Sequence, residues 1–237
     1  MAPLYKAVKH KLTEELRTGR WRHGQAIPSE PVLANRYAVS VGTLRRAVGE
    51  LVAENILVRE QGRGTFVASH TRDYMLNVFF RIEDREGRRA LPDSELLSFR
   101  LGRANRATAA ALQIAIGDPV FQIRARLRLQ GKAVILDDIR LPARLFPDLN
   151  ERLFVDRDTT IYGMFQARYG ITVARTTEVL TAQLADKLTC RLLDLQTPAA
   201  VLKVVRTAYA YKDLPVDWRM RYVNTRSHHY LSVLGGP

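Results

Sequence analysis

The sequence predicts an α+β protein in two parts: a small helical head closed by a β-hairpin, and a larger antiparallel body. Three observations predict it. Apolar residues recur at helical spacing from Leu4 to Val52, they alternate in strands from Leu76 onward, and a polar stretch, Ser69 to Arg72, lies between. The expected boundaries are 1–68 for the head, 69–74 for a linker and 75–237 for the body. A chain of 237 residues is long enough for two buried cores.

Leu4, Val8, Leu12 and Leu16 repeat every fourth residue and mark the stripe of a first helix, which exits between Gly19 and Gly24. Pro28-Ser29 reads as a helix entry with Ser29 as N-cap, and Val32, Leu33 and Tyr37 are the apolar side of a short second helix. Ala38-Val39-Ser40 turns the chain, and Ser40 caps a third helix with Val41, Leu44, Val48, Leu51 and Val52 on one side. Gly42, Thr43 and Arg46 point away from that side, and Arg45 flanks it. Ile56 to Arg59 and Thr65 to Val67 are two β runs around the turn Gln61-Gly62-Arg63-Gly64, a hairpin with a basic tip.

Two short helices joined by a tight turn, the second opening with small polar residues and arginine, follow the helix-turn-helix plan, and the hairpin adds a wing. Small or donor side chains at the opening turn suit entry into a major groove, and the wing glycines suit approach to a phosphate backbone. The residues expected at DNA are Ser29, Arg36, Ser40, Gly42, Thr43, Arg45, Arg46, Gly62 and Arg63. The net charge of +13 fits a polyanionic partner. The first 70 residues carry +5 and the remainder +8, so charge alone does not place the binding face. A membrane surface fits less well, because the basic residues are mostly scattered arginines. No apolar run reaches the roughly 18–20 residues of a bilayer span, and no signal core follows Met1, so a soluble cytoplasmic protein is expected. The lone Cys190 excludes an internal disulfide and a multi-cysteine metal site.

Residues 4–68 resemble the winged helix-turn-helix of the GntR family of bacterial transcription regulators. The resemblance rests on Leu4-Tyr5, Gly24 through Glu30, Leu33-Ala34, Tyr37 to Ser40, Thr43 to Ala47, Leu51, Glu54 and Gln61 to Val67. It implies DNA contacts at Ser40, Thr43, Arg45, Gly62 and Arg63. Pro31 and Val41 stand where many members carry arginine, with Arg36, Arg45 and Arg46 as the available substitutes.

In the body, Leu76, Val78 and Phe80 alternate as a strand, Arg85 to Arg89 form a charged turn, and Leu96 to Phe99 begin another strand. Thr108 to Ile114 form a short helix. Phe121 to Leu129 alternate with Gln122, Arg124, Arg126 and Arg128, and a turn leads into Val134 to Asp138. Helix, turn, arginine-bearing strand, turn and strand recur from Leu192 to Tyr222, with a slip of one residue before Arg206. This reads as a duplicated antiparallel unit.

Residues 75–234 resemble UTRA, the effector-binding domain of the HutC branch of the same family, on Glu95 to Ser98, Leu112, Gly117 to Val120, Arg126 to Arg128, Leu141 to Ala143, Phe146-Pro147, Thr160 to Tyr162, Tyr169-Gly170, Arg206 and Pro215 to Asp217. That resemblance implies a chorismate-lyase-like fold, a small-molecule effector and a homodimer that represses at a double-stranded operator. Three arginines on one strand face are either a wet outer surface or share an anion. The resemblance favours contacts at Arg126 and Arg128 and suggests Thr160 at a helix start. Tyr162, Arg206, Asp217 and Tyr222 complete the expected effector set, with pairing to an acid as the alternative for Arg206 and core packing for Tyr222, and the basic residues point to an anionic or partly anionic effector.

Catalysis finds little support. The chain carries no Gly-x-Ser-x-Gly, P-loop or His-Glu-x-x-His, and neither a cofactor nor a metal is expected. His228-His229 and Asp137-Asp138 are strand neighbours that point apart, and Cys190 packs with Leu188 and Leu192. The competing reading is a small-molecule enzyme of chorismate-lyase-like fold with a basic accessory domain, which rests on fold alone.

Overall fold

The computed structural model describes residues 3–232. Helices α1 (Leu4–Arg17), α2 (Glu30–Tyr37) and α3 (Val41–Ala53) precede the antiparallel hairpin β1 (Leu57–Glu60) and β2 (Gly64–Val67). Val8, Leu12 and Leu16 of α1 meet Leu33 of α2 and Leu44, Val48 and Leu51 of α3 in one core. Leu4, the first residue of the expected stripe, is 58% exposed. Ser29 precedes α2, but its hydroxyl makes no capping bond, and Pro31 occupies the first turn. The Ser40 hydroxyl does cap α3, accepting the Thr43 N–H at 3.1 Å.

The body is a six-stranded antiparallel sheet in the order β4 (Asp93–Arg103), β5 (Pro119–Leu129), β6 (Lys132–Pro142), β9 (Pro215–Val223), β8 (Ala200–Tyr209), β7 (Arg175–Leu184). Each half repeats strand, helix, strand, strand: β4, α5 (Arg106–Leu112), β5, β6, then β7, α8 (Lys187–Leu192), β8, β9. The halves join where β6 pairs with β9. Helices α5 and α8 cover one face through Leu112 with Val120 and Cys190 with Leu136. The other face carries Phe121, Ile123 and Ile139 and packs against α4 (Arg72–Val78), α6 (Glu151–Val155) and α7 (Ile161–Tyr169). A small pair, β3 (Ile82–Asp84) with β10 (His228–Tyr230), closes one end.

One expected element is wrong. The alternation of Leu76, Val78 and Phe80 predicts a strand, but residues 72–78 form α4. Thr71 caps it by accepting the Tyr74 N–H at 3.2 Å, and Met75 and Phe79, four apart, are the buried pair. Five residues are too few for the alternation to outweigh a cap and a fourth-residue repeat. Within the expected linker, His70 is 2% exposed and α4 begins at Arg72.

Candidate functional site

The opening turn of α3 is solvent-facing: Ser40, Val41 and Gly42 are exposed, while Leu44 and Ala47 are buried behind them. Ser40 and Thr43 hydroxyls lie 2.9 Å apart, so the small polar entry is held in one arrangement. Glu30, at the first position of α2, organises the arginines beside it. Its Oε2 accepts Arg45 Nε at 2.8 Å, and its Oε1 accepts Arg59 Nη2 at 3.0 Å. One carboxylate thus places a guanidinium from α3 and one from the wing on the same surface. Arg45 remains 65% exposed at its side chain, so its outer nitrogens are free for an acceptor. Arg59 was absent from the expected set. Its place two residues after the buried Leu57 on a half-exposed strand was the available signal.

The wing tip turns through Gly62 and Gly64, at φ +72° and +122°, where a side chain would be strained. Arg63 pairs with Glu60 and lies 5.5 Å from the Phe66 ring. The structure places the other expected arginines differently. Arg36 donates to Glu15 of α1 at 2.5 Å and sits against Trp21 and Tyr37. Arg46 stacks 4.1 Å over the Tyr5 ring. Both brace helices against α1. Ser29 is exposed and unbonded beside Glu30.

A second feature is a cleft of about 290 Å³ between the inner face of the sheet and α4, α6 and α7. Thr160, Tyr162 and Arg206 of the expected effector set line it. Arg126, Arg128 and Tyr222 do not. Arg126 donates to Glu95 at 2.9 and 2.8 Å, and Arg128 stands 3.5 Å from the same carboxylate. Arg124 pairs with Asp138 at 2.7 Å on that outer face. The three arginines therefore face two cross-strand carboxylates, Glu95 shared by Arg126 and Arg128 and Asp138 held by Arg124. Tyr222 packs with the α8 side of the sheet. Asp217 is fully buried behind the cleft, in contact with Arg219.

The inner face instead carries a row of ion pairs, of which the sequence reading had weighed only an acid partner for Arg206. Arg206 of β8 donates to Glu178 of β7 at 2.6 Å and to the Phe79 carbonyl at 2.7 Å. Arg219 of β9 donates to Asp217 at 3.0 Å. Arg221 donates through Nε and Nη2 to the two Asp137 oxygens, each at 2.7 Å. Burial alone would raise the Asp137 pKa, but Arg221 and Arg219 outweigh it and hold the carboxyl ionised. Burial would likewise lower that of Arg219, and the Asp217 charge reverses this and drives it well above its ordinary value. The one-residue slip between the repeats explains the displacement. A shift of one residue turns a strand's side chains to the opposite face, so Arg206 points into the cleft while Arg126 and Arg128 point out.

The cleft and the head share a short connection. Thr160 caps α7 at the cleft by accepting the Gly163 N–H at 3.1 Å. Further along α7, Gln166 accepts the His70 N–H at 2.9 Å and donates to the Ala68 carbonyl at 3.3 Å. On the cleft's other wall, Tyr74 of α4 donates its hydroxyl to the Asn55 carbonyl just after α3, at 3.1 Å. Among the described residues no cluster of three or more metal-ligating side chains occurs, and no helix is long and apolar enough to cross a membrane.

Comparison with known proteins agrees with this geometry. Residues 4–67 match the family model described as bacterial regulatory proteins, gntR family, and residues 87–229 match the UTRA domain. The chain is 31% identical over 234 residues to the histidine utilization repressor of Pseudomonas putida, covering 97% of this chain and 91% of that protein. It is 28% identical over 209 residues to the transcriptional repressor NagR of Bacillus subtilis, covering 87% and 84%. The ligand-binding domain of a GntR-family regulator from Bordetella bronchiseptica superposes with a TM-score of 0.62 at 29% identity, over 65% of this chain and 96% of that one. These relatives are regulators and not enzymes, which removes the accessory-domain enzyme reading. The chain belongs to the gntR family of bacterial regulatory proteins, as a ligand-responsive DNA-binding transcription regulator whose second part is a UTRA domain.

Proposed function

We propose that the protein is a cytoplasmic homodimeric repressor whose hold on a double-stranded operator changes when a small anionic metabolite occupies the arginine-lined cleft. The observation that carries this is the exposed opening turn of α3, with Arg45 and Arg59 gathered beside it by Glu30. Two such heads related by a two-fold axis would read half-sites about one helical turn apart. Ser40, Gly42, Thr43 and Arg45 approach base edges in this reading, and Gly62, Arg63 and Arg59 approach phosphate. Arg36 and Arg46 act from behind as braces. The cleft supports the sensing role because Thr160 and Tyr162 stand at one end of α7 while Gln166 of the same helix grips the chain leaving the head. The relatives named as repressors support the sign of the regulation.

The test is an operator selected from a random duplex pool, followed by gel shift with the wild type and Arg45→Ala. The wild type should prefer the selected duplex over random DNA by about 10³-fold or more, with affinity falling steeply as salt rises. Arg45→Ala should lose retention of that duplex. Undiminished binding by the variant rejects the recognition helix, and equal affinity for random duplexes rejects sequence-specific regulation.

A further inference from the structure

The three deepest guanidiniums of the cleft are already answered. Arg206 has Glu178, Arg219 has Asp217 and Arg221 has Asp137, so this layer is neutral without a ligand. Two other polar groups on the cleft wall are not answered. Arg157, just before α7, has no carboxylate partner among the described residues: one terminal nitrogen donates to the Phe154 carbonyl, and its Nε is buried with no acceptor. Its guanidinium lies 4.4 Å over the Phe154 ring, which leaves its charge desolvated. The Tyr162 hydroxyl, on a residue 1% exposed, is also buried without a partner. Both residues line the same cleft, at the start of α7. Buried donors left without acceptors are uncommon in folded proteins and mark where a group is missing.

The surroundings restrict what that group is. At the rim, Arg72 adds one positive charge, and Asp93 and Asp158 add two negative ones. Among the described residues lining the cleft, a second negative charge on a ligand would find no unpaired buried guanidinium. The remaining wall mixes the apolar side chains of Phe79, Phe80, Leu127, Ile139 and Phe154 with the hydroxyls of Ser94, Thr159 and Thr160.

Resting on the reading that this cleft is the effector site, we propose that the effector is a monocarboxylate with a flat, partly apolar body, held by Arg157 and Tyr162, and that phosphate monoesters and dicarboxylates are discriminated against. The carboxylate takes the half-buried Arg157 guanidinium as a charge-assisted pair and receives the phenol as a further donor. A phosphate monoester, carrying about −1.5 to −2 near neutral pH, would bring excess charge towards Asp137 and Asp158.

Calorimetry on the full chain tests this with four probes: benzoate, its neutral analogue benzamide, phthalate and inorganic phosphate. Benzoate should bind saturably and at least about tenfold more tightly than the other three, the factor that 1.4 kcal/mol represents. Arg157→Gln should reduce benzoate affinity about tenfold or more, and Tyr162→Phe several-fold. Without any substitution, the Arg157 Nε–H resonance of the native protein should move with benzoate and stay in place with benzamide. The proposal is overturned if phosphate or phthalate binds more tightly, if benzoate does not bind, or if the resonance and a folded Arg157→Gln variant are both indifferent to it. Operator affinity measured with each probe separates the two levels. Phosphate that binds and alters DNA affinity keeps the effector reading and removes the carboxylate assignment. Benzoate that binds at Arg157 without altering DNA affinity does the reverse.

Discussion

Asp137 and Arg221 face each other across β6 and β9 and meet through two hydrogen bonds of 2.7 Å at the centre of the sheet's inner face. Arg219 approaches the same carboxylate at 3.4 Å. All three side chains are buried and Arg219 keeps Asp217, so removing the acid strands the Arg221 guanidinium in a poorly solvated place. Breaking a buried pair from one side typically costs about 3–5 kcal/mol. Asp137→Asn should therefore lower unfolding stability by about that amount in urea titration. A paired replacement, Asp137→Leu with Arg221→Met, should recover much of it, because it removes one charge of each sign. A loss well under 1 kcal/mol for the single variant would mean that the network is solvated.

His70 makes the junction between head and body sensitive to acid. Its Nε2–H donates to the Val173 carbonyl at 2.9 Å, and its Nδ1 is buried without a partner. Burial pushes its pKa down to about 4, so the ring is neutral in the folded protein. The unfolded chain binds a proton near pH 6.5 and the folded chain does not until about pH 4. The contribution of this histidine is therefore complete above pH 6.5 and is lost as pH falls from there to 4. Linkage gives a loss of about 2 kcal/mol between pH 7 and pH 5 from this one residue. Urea unfolding at those two pH values should show it, and His70→Phe should flatten the difference. An equally steep dependence in the variant would assign the effect to other groups.

Gln166 joins α7 to the two backbone groups that flank Ser69. Gln166→Ala leaves the buried His70 N–H and Ala68 carbonyl without that partner, at a cost of about 1–3 kcal/mol for each group left unsatisfied. Amide hydrogen exchange should speed up at His70 while α3 amides stay protected. The factor by which a bound effector changes operator affinity should also shrink towards one. An unchanged factor, in a variant whose His70 amide does exchange faster, would show that the signal leaves the cleft by another route, with the Tyr74 contact to Asn55 as the alternative.

The head was readable because its determinants are local. Ser40 as a cap, the glycines at 62 and 64 and the fourth-residue stripe of Val8, Leu12 and Leu16 act within a few positions of one another. The strand from Phe121 to Leu129 was readable for the same reason, through alternation, as was one read from Val201 to Tyr211, which spans Ala200–Tyr209 in the structure. The cleft was not, because its chemistry depends on partners far apart in the chain. Asp137 meets Arg221 across 84 positions, and Arg206 meets Glu178 across 28. Alternation shows that Arg124, Arg126 and Arg128 share a side, but it does not say which side α7 will cover. Helix α4 was missed on a related ground: its apolar residues also fit a strand, and the packing of Met75 and Phe79 decided the matter.

The twofold strand–helix–strand–strand plan has an evolutionary corollary. If both halves descend from one ancestral module, the second came to donate its guanidiniums inward and the first outward by a frame offset of a single position. Ligand preference in such an architecture can then change abruptly, through a lone insertion or deletion in the turn between a helix and the strand after it, without the gradual exchange of side chains. Gene lineages carrying indels beside Pro119 or Pro198 are therefore the places to look for a switch in the metabolite sensed.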